Sequence, residues 1–144
     1  MGQRFSHRLR VRFNECDPQG VVFYANYLTY LDIAMTELWR EACGGYAEMI
    51  DAGTDIMVAE ANIRYRGSAR FDDDIDLVAQ VDVLGMTSSV MTVDVERAAD
   101  GAVLAEGRLR HVFVDARTLE KREIPPRVRE GLARYLAEPE AVPG

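Results

Sequence analysis

The chain has 144 residues, 48% hydrophobic and 28% charged, with a formal net charge of −7. This length fits one domain, taken as residues 1–144, and the acidic balance argues against general binding to nucleic acid or anionic membranes. No stretch approaches the roughly 18 apolar residues of a membrane span, and the N-terminus lacks the apolar run of a signal peptide. Cys16 and Cys43 are too few for a disulfide framework and predict reduced thiols in a cytoplasmic protein.

The first predicted elements are a strand and a long helix. Apolar residues alternate with arginines as far as Phe13, which predicts a strand with one apolar face. From about Asn26 to Ala42 the apolar residues recur at helical spacing instead, with Asn26 as a plausible N-cap and Gly44 as the stop. The apolar stripe is wide, so we expect a curved sheet to cover most of this helix.

The rest of the chain is predicted to be mostly sheet. A short helical turn at residues 46–51 is followed by segments in which apolar and polar residues alternate with a period of two. These segments cover residues 59–65, 75–83, 91–95 and 103–113. Asp100-Gly101 indicates a hairpin, and a short helix is expected from about Pro126. One strand, one long helix and four consecutive strands predict an α+β fold with a five-stranded antiparallel sheet wrapped around the helix.

The loop between the first strand and the helix combines a carboxylate with a helix start. Asp17 stands in a turn-forming stretch shortly before the predicted helix. The first N–H groups of a helix are unpaired and carry partial positive charge, so they can stabilise an oxyanion. A nearby carboxylate can attack a carbonyl carbon or activate a water molecule. These two features suffice for acyl hydrolysis without Ser or His, although an Asp before Pro18 is also common in ordinary turns.

The motif R-x-x-E-x-D-x-x-G-x-V-x-Y-x-N-Y at residues 12–27 resembles the signature of a known enzyme family. The family is that of the 4-hydroxybenzoyl-CoA thioesterase-like, YbgC-like acyl-CoA thioesterases. Weaker agreement is found at residues 35–38 and 65–73, and the resemblance covers about residues 4–115. The segment from Asp17 to Tyr27 is its most specific part.

The resemblance implies a hotdog fold, in which a long helix is wrapped by an antiparallel sheet. It implies that Asp17 is the catalytic aspartate and that the backbone N–H of Tyr24 holds the thioester oxygen. It further implies an acyl-CoA substrate, no cofactor or metal beyond the coenzyme A of the substrate, and a homodimer or homotetramer with the active site between subunits. Ser68 replaces a proline that is frequent in the family, and Ala25 stands where YbgC-like members often have histidine. The second departure favours a hydroxybenzoyl-type arrangement over a histidine-assisted one.

Seven residues are predicted to bind substrate on this basis. They are Gly20, Phe23, Asn26, Tyr27, Arg64, Arg66 and Arg70. The glycine is most simply a backbone requirement that could let a ligand approach closely. The aromatic residues fit either an acyl pocket or the core, and the asparagine either caps the helix or touches substrate. The three arginines either contact coenzyme A phosphates or form a solvated surface.

Other reactive side chains are predicted to have no part in chemistry. Glu15 is expected to be solvated, and Cys16 to be an inert thiol because its motif holds no histidine to activate it. His111 falls on the apolar side of its strand and is expected to be a hydrogen-bonded histidine at the edge of the core. Residues 72–74 form a charged turn without metal-ligand partners in sequence.

Two alternative functions are compatible with the same fold. A hydratase or dehydratase of acyl thioesters would need a histidine base, and the chain's two histidines lie in no such motif. A non-catalytic protein that binds acyl thioesters or serves in assembly is the other alternative, because a fold alone does not define a function.

Overall fold

The computed structural model describes residues 2–137. Within them lie five strands, three α-helices and one 3₁₀ turn. In chain order they are β1 (Phe5–Arg10), the 3₁₀ turn (Phe13–Glu15), α1 (Asn26–Cys43), α2 (Tyr46–Asp51), β2 (Thr54–Tyr65), β3 (Asp74–Leu84), β4 (Ser88–Arg97), β5 (Val103–Asp115) and α3 (Pro126–Ala133). The prediction of an α+β fold with one long helix and a five-stranded antiparallel sheet is confirmed.

The strands form one sheet in the order β1-β3-β4-β5-β2, and every neighbouring pair is antiparallel. The central strands alternate as predicted, because their inward side chains pack on α1 while the outward ones face solvent. On α1, Tyr30, Leu31 and Leu38 are at most 1% exposed. The core therefore lies between this helix and the concave face of the sheet.

The C-terminal helix α3 packs against α1. A Cβ atom placed on Gly131 would lie 2.3 Å from the carbonyl oxygen of Ala42, so the two helix backbones approach more closely than any side chain at this position would allow. Trp39 of α1 stacks on Phe113 of β5, with ring centroids 5.7 Å apart. None of the helices in the described part of the chain is long and apolar enough to cross a membrane.

Two predictions about the N-terminal region are wrong. Phe13 does not continue the first strand, which ends at Arg10; it lies in the 3₁₀ turn and is 79% exposed. Asn26 is not the N-cap of α1: Ala25 occupies that position without a side-chain cap. The reason is that the Asn26 side chain donates instead to the backbone carbonyl of Glu15, at 2.8 Å.

Strand β2 also departs from its predicted alternation. It is 12 residues long, and the residues at 57–62 are all exposed. A β-bulge between Val58 and Glu60 shifts its register against β5 and exchanges the faces of the residues on either side. Because β2 is a sheet edge, much of its apolar surface is left uncovered by the described residues.

Candidate active site

The loop that carries Asp17 is a tight hairpin in front of α1. The Asp17 N–H donates to the Val21 carbonyl at 2.9 Å, and the Gly20 N–H donates to the Asp17 carbonyl, also at 2.9 Å. Gly20 has a φ of +80°, in the left-handed region that glycine adopts without steric strain. The glycine is thus required by the turn, in agreement with the backbone role expected for it.

The Asp17 side chain is half-buried, and only one of its two carboxylate oxygens is hydrogen-bonded within the turn. Its Oδ1 atom accepts the Gln19 N–H at 2.9 Å, which fixes the carboxylate relative to the backbone. Among the described residues, no donor reaches the second oxygen, Oδ2. The carboxylate is therefore oriented by one oxygen and has the other available for a substrate or a water molecule.

The peptide group between Phe23 and Tyr24 presents a donor at the start of α1. The Phe23 carbonyl accepts the Asn26 N–H at 2.8 Å and so points toward the helix. The N–H of a trans peptide points opposite to its carbonyl, so the Tyr24 N–H points away from the helix. Within residues 2–137 no backbone carbonyl accepts the N–H of Tyr24 or of Ala25. These amides lie at the positive end of the helix dipole.

The prediction that Glu15 is solvated is wrong, because its carboxylate anchors this loop to α1. Its carboxylate, whose side chain is 12% exposed, accepts the Arg12 N–H at 2.9 Å, the Arg12 guanidinium at 3.0 Å and the Tyr30 hydroxyl at 2.9 Å. Burial by itself would raise the pKa of Glu15, but these hydrogen bonds outweigh it and lower that pKa. Its carbonyl accepts both the Phe23 N–H and the Asn26 side chain. Glu15 therefore fixes the position of the Tyr24 amide.

The aromatic candidates divide into exposed and buried residues. Phe23 and Tyr24 are 44% and 65% exposed, with ring centroids 4.8 Å apart. Tyr65, which the sequence reasoning missed, donates its hydroxyl to the Tyr24 carbonyl at 3.0 Å and is itself half exposed. Tyr27 is buried, and its hydroxyl accepts the Ala69 N–H at 3.0 Å. An exposed aromatic surface thus adjoins the Asp17 loop, while Tyr27 supports it from beneath.

The three candidate arginines do not share one surface. Arg64 lines a shallow groove on the face of the sheet opposite α1. Arg66, just after the end of β2, forms an ion pair with Glu106 at 2.5 Å. Arg70 lies beside the hairpin, since its backbone forms a bridge with Val21. Of the three, Arg70 is therefore the one placed next to Asp17.

Cys16 precedes Asp17 and is half-buried. Burial, together with the charges of Glu15, Asp17 and Asp73, raises the pKa of its thiol. A raised pKa disfavours the thiolate that a nucleophile needs, which agrees with the prediction of an inert thiol.

A cavity of about 310 Å³ lies further along α1, between that helix, α2, β2 and β5. It is lined by Asp32, Met35, Thr36, Tyr46, Ile56, Val58 and His111. His111 is buried at 2% exposure, as its strand position predicted, but its Nε2 atom has no hydrogen-bond partner among the described residues. The prediction of a hydrogen-bonded histidine is therefore wrong for this atom, which is closed off from solvent and from any donor or acceptor of the described residues.

Comparison with known proteins identifies the family. The chain matches the model of the thioesterase-like superfamily over residues 11–132 and belongs to that superfamily. The acyl-CoA thioester hydrolase YbgC of Escherichia coli is 26% identical over 121 residues, which are 84% of this chain and 90% of YbgC. A protein of Aquifex aeolicus is 35% identical over 69 residues, so the matched segment spans only 48% of this chain and 54% of that protein.

Solved structures agree with this assignment. The structure of a gentisyl-coenzyme A thioesterase is 26% identical with a TM-score of 0.79, and the match covers 87% of this chain and 99% of that one. The resemblance drawn from the motif and the hotdog fold that it implied are confirmed, and the chain is a thioester hydrolase. The roles of Asp17 and Tyr24 remain predictions, which the geometry described above supports.

Proposed function

We propose that the chain hydrolyses acyl-CoA thioesters to a free acid and coenzyme A, with Asp17 as nucleophile or general base and the Tyr24 N–H as oxyanion donor. One observation carries the proposal: an oriented carboxylate with an available oxygen and an unused helix-start amide lie in the same connection between β1 and α1. The names of YbgC and of the gentisyl-coenzyme A thioesterase, which describe coenzyme A thioesters as their substrates, support the choice of substrate class.

Two routes use the same groups. In the first, an Asp17 oxygen attacks the thioester carbon, the C–S bond breaks, the thiolate of coenzyme A leaves, and water then hydrolyses the mixed anhydride to the acid and the free carboxylate. In the second, Asp17 takes a proton from a water molecule whose oxygen attacks the thioester carbon, and the same C–S bond breaks. In both, negative charge develops on the carbonyl oxygen, where a hydrogen bond from the Tyr24 amide would stabilise it.

Binding of the nucleotide end would involve Arg70 in this proposal. Arg70 is exposed and adjoins the hairpin, whereas Arg66 is already paired with Glu106. A guanidinium is well suited to phosphate oxygens because it presents several donors in one plane. Arg64 and Arg66 remain candidates for a contact with the coenzyme A phosphates from the outer face of the sheet.

We further propose a homodimer, or a tetramer built from it, formed by pairing of two β2 strands. β2 is a free sheet edge of 12 residues, and Met57 and Val58 on it are 49% and 60% exposed. A long edge strand with exposed apolar side chains favours pairing with another strand. The opposite edge, β1, is half as long and carries Arg8 and Arg10, which oppose such pairing.

This dimer would complete the active site. Antiparallel pairing about a two-fold axis places the C-terminal end of one β2 next to the N-terminal end of the other. Tyr65, at the C-terminal end, contacts Tyr24 near Asp17, whereas Ile56 and Val58, near the N-terminal end, line the cavity. Within one chain the α1 residues that line the cavity, Asp32 to Thr36, lie about 9–15 Å along the helix from its start, at 1.5 Å per residue. We therefore expect Asp17 of one subunit to act on a thioester whose acyl group occupies the cavity of the other.

Two measurements test the proposal. Thiol release from a panel of acyl-CoA esters should reveal at least one that is turned over, and no release from any would contradict the function. Light scattering at micromolar concentration should give a mass of at least two chains. A species of only 16.2 kDa would contradict the shared site.

A further inference from the structure

A tyrosine of the edge strand reaches the start of α1. Tyr65 is the last residue of β2 and pairs with Ala105 of β5, so its backbone is fixed in the sheet. Its hydroxyl donates to the backbone carbonyl of Tyr24 at 3.0 Å, a contact between residues 41 positions apart. Its ring meets the rings of Tyr24 and Tyr27 edge-on, with centroids 6.4 and 5.5 Å apart. The phenol is therefore held by packing along its ring and by a hydrogen bond at its tip.

The fold does not need this hydroxyl to satisfy the carbonyl that it binds. The Tyr24 carbonyl also accepts the Tyr27 N–H at 3.3 Å, and carbonyls at the start of a helix are normally paired in this way. Tyr65 is 49% exposed, so its hydroxyl could be solvated instead at little cost. A contact that adds little to the stability of the fold, and that lies beside the proposed oxyanion donor, points to a role in the reaction.

The contact fixes one peptide group, the one between Tyr24 and Ala25. Its carbonyl is held by the Tyr65 hydroxyl, and its N–H, which belongs to Ala25, points the opposite way because the peptide is trans. Within residues 2–137 no backbone carbonyl accepts this N–H or the N–H of Tyr24. Two consecutive amides at the positive end of α1 are thus available to one developing negative charge.

We propose that Tyr65 is a positioning residue for the hydrolysis, which holds the Tyr24–Ala25 peptide so that the Ala25 N–H joins the Tyr24 N–H in binding the thioester oxygen. This inference rests on the proposed function, in which negative charge develops on that oxygen at the start of α1. The charge develops as the carbonyl carbon is attacked, so donors that are already in place stabilise the transition state more than the bound substrate. The hydrogen bond from Tyr65 also polarises the peptide and strengthens its N–H as a donor.

The kinetics of Tyr65→Phe, which keeps the ring and removes the hydroxyl, test this role with hexanoyl-CoA and benzoyl-CoA. For the ester that is turned over faster, kcat should fall about three- to ten-fold, the effect of one hydrogen bond, and KM should change by less than about two-fold. Replacing Tyr65 with 4-aminophenylalanine, which keeps a donor at the same place, should restore most of kcat. Tyr135→Phe is the matched control, since it removes the hydroxyl of a tyrosine that follows α3 and packs on Phe5, and kcat should not change.

The outcomes separate a positioning role from the alternatives. The melting temperature of Tyr65→Phe should stay within about 4 °C of the wild-type value, so that a fall in kcat does not reflect unfolding. Wild-type kcat in Tyr65→Phe, or a fall that 4-aminophenylalanine does not restore, would overturn the proposal. A higher KM with unchanged kcat would also overturn it, because Tyr65 would then bind the substrate without acting on the transition state.

Ala25→Pro removes the second donor and tests whether Tyr65 acts through it. The φ of Ala25 is −67°, which proline adopts, and the N–H that is lost pairs with no backbone carbonyl among the described residues. We expect kcat to fall by at least about ten-fold, and we expect Tyr65→Phe to add little to this fall in the double variant. Effects of the two substitutions that simply multiply would contradict a shared peptide group. If Ala25→Pro does not fold, the kinetics of Tyr65→Phe and the spectra described next still decide.

Infrared spectra give a readout that does not depend on turnover. In Asp17→Asn protein, the ¹³C-labelled thioester carbonyl of bound hexanoyl-CoA or benzoyl-CoA should absorb at a lower frequency than in the free ester, because the two amides polarise it. Adding Tyr65→Phe should move the band back toward the free value, and adding Tyr135→Phe should not. The same band with and without the Tyr65 hydroxyl would overturn the inference. A band that depends on Tyr65 in a protein whose wild type hydrolyses no ester would sustain the inference, although the proposed function would have failed.

Discussion

The contact between Glu15 and Tyr30 can be tested by replacing Tyr30 with phenylalanine, which keeps the ring and removes one hydroxyl. Tyr30 is fully buried, so the substitution leaves packing intact and takes one of three hydrogen bonds from a carboxylate that is 12% exposed. A hydrogen bond to a charged group contributes about 1.5–3 kcal/mol. For a domain of this size that corresponds to a melting temperature lower by roughly 4–10 °C.

Urea denaturation of Tyr30→Phe, followed by circular dichroism, measures this loss directly. Tyr46→Phe is the matched control, because it removes a hydroxyl that bonds Asp55 at a more exposed position and should change stability by less than about 1 kcal/mol. If the two variants were equally stable and close to wild type, Glu15 would not anchor the loop.

The pH dependence gives this prediction a second signature. The pKa of Glu15 is lowered from 4.5 in the folded chain, so its hydrogen bonds contribute stability above that pH and lose it as the pH falls through the lower folded value. The stability difference between wild type and Tyr30→Phe should therefore be constant from pH 5 to 7 and shrink in more acidic solution. A difference independent of pH down to unfolding would contradict the assignment.

Three further predictions concern other parts of the chain. Gly131→Ala should destabilise the protein by at least about 1–3 kcal/mol in urea denaturation, because its Cβ would collide with the Ala42 carbonyl and force α1 and α3 apart. Arg70→Ala should raise KM for acyl-CoA about two- to five-fold with little change in kcat, whereas Arg117→Ala, an exposed control in the turn after β5, should leave KM unchanged. Wild-type stability should fall as the pH drops below 6.5, because the unfolded state then protonates His111 more readily than the folded state, and this fall should be smaller in His111→Leu.

Periodicity in the sequence predicted the elements whose two faces meet different surroundings. α1 and strands β3 to β5 pack one face on the core, so their apolar residues recur with the helical or strand period. The pattern of β2 does not follow this rule for two reasons. A bulge at Ala59 inverts its alternation, and β2 is a sheet edge whose apolar side chains are left exposed among the described residues.

The candidate site was predictable to the extent that it is local. Asp17, Gly20 and Tyr24 lie within eight consecutive residues between β1 and α1, and a motif can record their spacing. The Glu15–Tyr30 contact and the unpaired His111 depend on how distant segments pack, and single residues carry no signal for that. The nearest signal was the position of His111 on the apolar side of its strand, which predicted its burial but not the missing partner.

The central claim is that the Asp17 carboxylate performs the chemical step, and kcat of Asp17→Asn tests it most directly. Asparagine can still accept the Gln19 N–H through its Oδ1, so the turn should be kept, and Asp82→Asn on the outer face of the sheet controls for loss of one negative charge. With the best acyl-CoA ester, Asp17→Asn should lower kcat by roughly two orders of magnitude or more while substrate affinity changes little. A folded Asp17→Asn protein that hydrolyses the ester at a rate near that of the wild type and Asp82→Asn would contradict the account.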